Sequence, residues 1–272
     1  MTAGTAETVG ATASTVPPHP AKFSPAILDR LDRWIRAEAM YLGKRTHRVR
    51  VLDPFAGVGG VHALPGSTFG VEIEPEWAAA HPRTRVGDAT ALPWRARSFD
   101  VVCTSPCYGN RMADSHEARE VCRACGGLGV VEVAIEALAD DETDRLVPCE
   151  RCEGAGRNAY RRNTYRHQLG RMPTTGSTVT MQFGESYRIV HARAWHEAAR
   201  VLRPGGLFLL NVSDHIRGGS RVPVADWHLG VLRAIGFVEI ARDEIVTPRN
   251  GFGANRDARV ECELVVALRG PS

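Results

Sequence analysis

Two Cys-x-x-Cys pairs, Cys122 with Cys125 and Cys149 with Cys152, are separated by 23 residues in a chain of 272 that holds seven cysteines. Four thiolates in this arrangement suit a tetrahedral structural zinc ion, Zn2+. Glycines follow both pairs at matching offsets, Gly127 and Gly129 after the first and Gly154 and Gly156 after the second. Amides that turn toward the sulfurs need positive φ, which glycine adopts without strain. A second constellation is acidic. Asp53 opens the turn Asp53-Pro54-Phe55-Ala56-Gly57-Val58-Gly59-Gly60, and Glu72 and Asp88 each follow a later apolar run. Gly57 and Gly59 allow a tight turn and close approach of a ligand, and a carboxylate at a strand end accepts hydrogen bonds from both ribose hydroxyls. Glu74 is an alternative to Glu72 in that role. Three acids after three consecutive strands fit a nucleoside without phosphates, because Asp53 would repel a pyrophosphate.

The elements that must position these residues follow from apolar periodicity. Ser24-Pro25 makes an N-cap with proline at N1, and Ile27, Leu28, Leu31, Trp34 and Ile35 recur at helical spacing to about Tyr41. Buried strands are expected at Val49 to Leu52, Thr68 to Ile73, Thr84 to Val86 and Phe99 to Thr104, with a helix after the glycine turn. Apolar runs alternating with helical stretches predict a mostly parallel α/β sheet with crossover helices. From Arg111 to Gly176 the pattern breaks and reads as an insertion. It resumes with a helix from Ser186 to Leu202, a strand from Leu207 to Val212, a helix from Val224 to Ile235, and two strands, Phe237 to Ile245 and Glu261 to Leu268, that close the sheet edge as an antiparallel pair. Residues 1–16 are expected to be a disordered tail, 17–110 and 177–272 the core, and 111–176 a zinc-binding module.

With a net charge of +3 and 43% hydrophobic residues, the composition excludes a disordered polyelectrolyte. No run reaches the roughly 20 apolar residues of a membrane span, and the first residues lack the basic start and apolar centre of a secretory signal. A cytoplasmic protein without a membrane partner is therefore expected; the oligomeric state is not legible.

Strand, glycine turn and the acids Asp53, Glu72 and Asp88 together resemble the class I S-adenosylmethionine-dependent methyltransferases. Asp-Pro-Phe-x-Gly-x-Gly resembles the form found in amino-methylating nucleic-acid enzymes. The resemblance implies a Rossmann-like sheet in which Asp53, Phe55, Gly57 and Gly59 cradle the methionine part of S-adenosyl-L-methionine, Glu72 holds the ribose and Asp88 faces the adenine. His19-Pro20-Ala21-Lys22-Phe23-Ser24 resembles the segment that precedes the core in that family and helps cover the methionine end. After the fourth strand, Ser105-Pro106-Cys107-Tyr108 stands where those enzymes carry Asp, Asn or Ser, then Pro-Pro, then an aromatic residue. An exocyclic amine is a poor nucleophile because its lone pair is delocalised into the ring. By this resemblance the Ser105 side chain and Pro106 carbonyl accept its two hydrogens, and Tyr108 stacks on a flipped base.

The implied activity is direct methylation of cytosine N4 or adenine N6 in DNA, with an RNA substrate also open. Cys107, in place of the second proline, leaves open cytosine C5 methylation through a thiolate; a zinc-containing nucleic-acid-binding protein with an inactive core is a third alternative. The repeated Cys-x-x-Cys-x-Gly-x-Gly resembles the cysteine-rich domain of J-domain co-chaperones. Between the knuckles lies an acidic stretch (Glu132, Glu136, Asp140, Asp141, Glu142, Asp144), and after them Arg157, Arg161, Arg162, Arg166 and Arg171 alternate with Tyr160 and Tyr165. Arginine interleaved with tyrosine suits phosphate contact and base stacking, so the insertion is a candidate target-recognition element.

Overall fold

Residues 16, 17, 19, 23–110, 121, 122, 124–133, 145–150, 152, 154, 156, 165–217, 219–247 and 260–272 are described by the structure, a computed structural model. The expected tail apart from Val16, Lys22, the acidic run from Glu136 to Asp144, and Arg157, Tyr160, Arg161 and Arg162 lie outside the described residues. In chain order the elements are α1 (Pro25–Tyr41), β1 (Arg50–Asp53), β2 (Ser67–Glu72), α2 (Pro75–Ala78), β3 (Thr84–Val86), β4 (Phe99–Thr104), β5 (Val130–Val133), β6 (Arg145–Pro148), α3 (Tyr165–Leu169), α4 (Glu185–Val201), β7 (Leu202–Val212), β8 (His215–Arg217), β9 (Ser220–Val222), α5 (Val224–Ile235), β10 (Val238–Val246) and β11 (Cys262–Arg269).

Seven strands form one sheet in the order β10-β11-β7-β4-β1-β2-β3. The strands from β7 to β3 are parallel, while β11 runs antiparallel between β7 and β10. The antiparallel member thus sits one strand in from the edge. The result is the mostly parallel, Rossmann-like sheet expected from the sequence.

Strand alternation divides the core into two layers. Val51, Val101, Cys103, Leu207, Leu209, Val265 and Ala267 face α1, which buries Ile27, Leu31, Ile35 and Ala39 at four-residue intervals. The Ser24 hydroxyl caps that helix by accepting from the Ile27 amide at 3.3 Å. Each fully buried Ile or Leu there contributes about 1.5–3 kcal/mol, so packing rather than propensity fixes the helix. Leu52, Val102, Phe208, Leu210, Val266 and Leu268 face the other way, against Tyr187, Trp195, Leu229 and Leu232 of α4 and α5.

One expectation fails on the α1 side of the glycine turn. No α-helix follows it; a single 3-10 turn, Gly60–Ala63, leads to β2. Pro65 and Gly66 come too soon after Val61 to let a helix propagate, and Gly66 has φ +115°. The crossover from β2 to β3 is equally short, with only the four residues of α2. The hairpin β8–β9 was not foreseen. Among the described residues, no helix is long and apolar enough to cross a membrane.

Candidate active site and cysteine cluster

A cavity of about 520 Å3 opens at the carboxyl ends of β1, β2 and β4, where the strand order reverses around β1 and α/β sheets place their ligands. Every residue expected to hold cofactor or substrate lines it: Asp53, Phe55, Gly57, Gly59, Glu72, Asp88, Ser105, Pro106 and Tyr108.

Asp53 is buried at the end of β1. Its Oδ1 accepts from the Phe55 amide at 2.9 Å and from the Thr104 hydroxyl at 2.6 Å, which ties the glycine turn to β4. Burial pushes its pKa up to about 7 against the pull of those two bonds. Glu72 also holds the turn. Its Oε2 accepts from the Gly57 amide at 2.8 Å and its Oε1 from the Glu74 amide at 2.9 Å. Desolvation lifts Glu72 to about 7 as well, and the charges of Glu74 and Asp53 add to the rise. Each Glu72 oxygen keeps a second lone pair for a ligand hydroxyl. Asp88 is exposed and accepts from the Thr90 amide at 2.8 Å. Phe55 stacks on His191 at 5.2 Å between ring centres. Gly57 has φ +52°, and a β-carbon there would lie 2.9 Å from His19 Nε2. His19 packs edge-on against Trp77 and Tyr165, so it does cover this end of the cavity.

Glu74 is not a second ribose acceptor. It is fully buried beneath the segment that follows α3, where it pairs with Arg171 at 2.8 Å and accepts from both the amide and hydroxyl of Thr174. Arg171 also donates from Nε to Glu76 at 2.8 Å. Arg171 is therefore held in intramolecular ion pairs instead of standing free for phosphate, as its place in the Arg-Tyr stretch had implied. The same anchor seats Gly176, Ser177, Thr178 and Val179 as a wall of the cavity.

At the opposite end, four side chains from the β4 loop, β7 and β11 meet. Tyr108 donates to Glu263 Oε2 at 2.9 Å and lies 3.2 Å from Ser105 Oγ. Asn211 Nδ2 reaches Glu263 at 2.7 Å, Ser105 Oγ at 3.1 Å and Tyr108 Oη at 3.2 Å. Sequence reasoning had assigned no role to Asn211 or Glu263. Their signal was present as single polar residues inside otherwise apolar strands.

Cys107 faces the other wall. Its thiol lies 3.8 Å from the Tyr165 hydroxyl, and burial pushes its pKa up to about 11. Its carbonyl accepts from the Tyr187 hydroxyl at 2.6 Å. Behind that bond, the Trp195 indole N–H donates to His228 Nδ1 at 3.0 Å, leaving Nε2–H to donate to the Tyr187 oxygen at 2.8 Å. Burial keeps His228 neutral, with its pKa well below the usual imidazole range. Asp214 caps α5 by accepting from the Ala225 amide at 2.8 Å and pairs with Arg221.

In the insertion, the antiparallel pair β5–β6 brings the four cysteines together. All four sulfurs are buried and lie within 4.8 Å of one another. Cys122 and Cys149 are 3.9 Å apart and Cys125 and Cys152 3.7 Å. A tetrahedron with metal–sulfur bonds of about 2.3 Å has edges of about 3.8 Å, so the cluster could hold one zinc ion. The knuckles pack as a two-fold pair. Cys122 donates its amide to the Gly156 carbonyl and Cys149 to that of Gly129. A β-carbon on Gly129 or Gly156 would strike the facing glycine backbone.

Neither a protein-family model nor a curated protein sequence matches the chain. Solved structures of similar fold include the [4+2]-cyclase SpnF, 13% identical with a TM-score of 0.45 over 95% of this chain and 88% of that one. A SAM-dependent methyltransferase from Methanosarcina mazei is 10% identical with a TM-score of 0.43, covering 85% and 97%. The N-methyltransferase NodS from Bradyrhizobium japonicum, in complex with S-adenosylhomocysteine, is 9% identical with a TM-score of 0.43, covering 92% and 89%. At these identities the likeness is one of fold alone. The sheet itself is mostly parallel, as the sequence reading expected, with its antiparallel strand next to the edge and not at it.

Proposed function

We propose that the chain is an S-adenosylmethionine-dependent DNA methyltransferase that methylates an exocyclic amine, N4 of cytosine or N6 of adenine, on a flipped base. What supports this most is that one cavity joins the glycine turn and its three acids to Ser105-Pro106-Cys107-Tyr108. The donor set suits this cofactor. Carboxylates of Asp53, Glu72 and Asp88 line the cavity's glycine-turn end, and among the described residues no Lys or Arg lines it. A cationic, unphosphorylated nucleoside is matched by that charge, and a dinucleotide is not.

When bound, S-adenosylmethionine supplies a methyl group on a sulfonium. Asp53, Phe55, Gly57 and Gly59 would hold its methionine end, Glu72 its ribose and Asp88 its adenine. Ser105 Oγ and the Pro106 carbonyl would accept the amino hydrogens, and Tyr108 would stack on the ring. Most of the acceleration then comes from positioning and exclusion of water. Cys122, Cys125, Cys149 and Cys152 would hold zinc as a structural ion outside the chemistry, and the insertion that carries them would recognise the DNA target.

Cytosine C5 methylation through Cys107 needs a thiolate, and burial opposes it by raising the thiol's pKa to about 11. Mass spectrometry of nucleosides from DNA and RNA treated with protein and cofactor tests the assignment. N4-methylcytosine or N6-methyladenine in DNA is expected; 5-methylcytosine would overturn the amine mechanism, and product in RNA alone would overturn the DNA substrate.

A further inference from the structure

The donor hydrogens at the substrate end of the cavity are spent among its own side chains. An ionised carboxylate only accepts, so Glu263 sets the direction of each bond behind it. Tyr108 commits its one hydroxyl hydrogen to Glu263. The 3.2 Å contact between Ser105 and Tyr108 is then made with the serine hydrogen. Asn211 must turn its nitrogen toward Glu263, and its two amide hydrogens go to that carboxylate and to the hydroxyl pair. Among the described residues that meet here, acceptors are what these bonds leave over. One is a lone pair on Ser105 Oγ. Another is Asn211 Oδ1, a buried oxygen with no hydrogen-bond partner, on a side chain 2% exposed that lines the cavity. A buried acceptor without a donor is costly to maintain, so this oxygen is placed for a hydrogen that a ligand brings.

We propose that Asn211, Ser105 and Glu263 form an amine-reading face that takes an aromatic amino group with two hydrogens and rejects a ring that carries a keto oxygen in its place. Resting on the amine methylation proposed above, this assigns how cytosine or adenine is told from uracil or hypoxanthine. Asn211 Oδ1 stands as a third acceptor beside the Ser105 Oγ and Pro106 carbonyl acceptors proposed above, and a keto oxygen would meet lone pairs at all three. Glu263 is a positioning residue here, acting through Tyr108 and Asn211.

The test measures binding of short single-stranded oligonucleotides to the full chain with S-adenosylhomocysteine present. The strands differ at one position, cytosine against uracil and adenine against hypoxanthine, and turnover of the amine strands is followed in parallel. Wild type is expected to prefer one of the amine strands by roughly tenfold or more, the effect of at least one unmatched hydrogen bond. Glu263→Gln keeps the shape but can donate, which frees the hydroxyl hydrogens to turn toward the ligand. Its ratio should fall toward one while S-adenosylhomocysteine binds as in wild type. Asn211→Ser, which removes the unpartnered oxygen, should weaken the amine strand and spare the keto strand. A wild type that methylates an amine but shares one ratio with both variants overturns the amine-reading face and leaves the methylation standing. A wild type that methylates neither base and binds amine and keto strands alike overturns both.

Discussion

Replacing Arg171 by alanine would strip a fully buried carboxylate of its counter-ion. Glu74 would keep its two bonds from Thr174 but lose the guanidinium 2.8 Å away. Breaking one side of a buried pair costs roughly 3–5 kcal/mol; with Arg171 35% exposed, water can replace part of the loss, so about 2–3 kcal/mol is expected. For a chain of this size that lowers Tm by roughly 3–5 °C. Binding of S-adenosylhomocysteine should weaken too, because residues 176–179 of the anchored segment line the cavity. Urea and thermal unfolding with and without the ligand measure both effects. Glu74→Gln combined with Arg171→Ala removes the orphaned charge and should recover part of the stability at neutral pH. An Arg171→Ala protein within about 0.5 kcal/mol of wild type, or a double variant no more stable than the single one, would refute the clamp.

Asp53→Asn preserves both acceptor bonds at Oδ1 and removes an acid raised to about 7. Wild type loses the stability of that raised acid as pH climbs from about 4 to 7, so the variant should gain on it by at most about 1.4 kcal/mol per pH unit across that window, measured by denaturation at several pH values. Tyr108→Ala should lower single-turnover methylation by about a hundredfold or more, whereas Cys107→Ala should cost less than about tenfold; equal losses would restore the thiolate mechanism. Metal analysis of purified protein should find one zinc per chain, lost in Cys149→Ser; four sulfurs without metal in the wild type would overturn the zinc assignment.

Much of the sheet was legible because a parallel strand buried on both faces is a continuous apolar run, and Phe99–Thr104, buried along its whole length, was bounded from the sequence as it stands. The glycine turn, Glu72 and the Ser105 loop were legible for a related reason, since each stands at a strand end and together they line one cavity. The missing crossover helix was hidden because Val61, His62, Ala63 and Leu64 are compatible with helix, and only Pro65-Gly66 limits the length. Asn211 and Glu263 were hidden by register. Which face a strand residue takes, and which neighbour it meets, depends on β11 inserting between β7 and β10, a pairing set by the whole sheet. Arg171 looked like a free cation because the acid that binds it, Glu74, lies 97 residues earlier.

The short crossovers between β1, β2 and β3 change what the insertion is to the rest of the chain. Where a full helix would shield that half of the sheet, Trp77 packs against Tyr165 and Val179, both supplied by chain returning from the cysteine cluster. Excising 111–176 and joining the ends would therefore remove Tyr165 from the cavity wall together with the Arg171 and Thr174 anchors. The insertion and the sheet core can be drawn as separate segments on the sequence, but they cannot be exchanged as separate parts: any graft in place of the cysteine cluster must enter upstream of Tyr165.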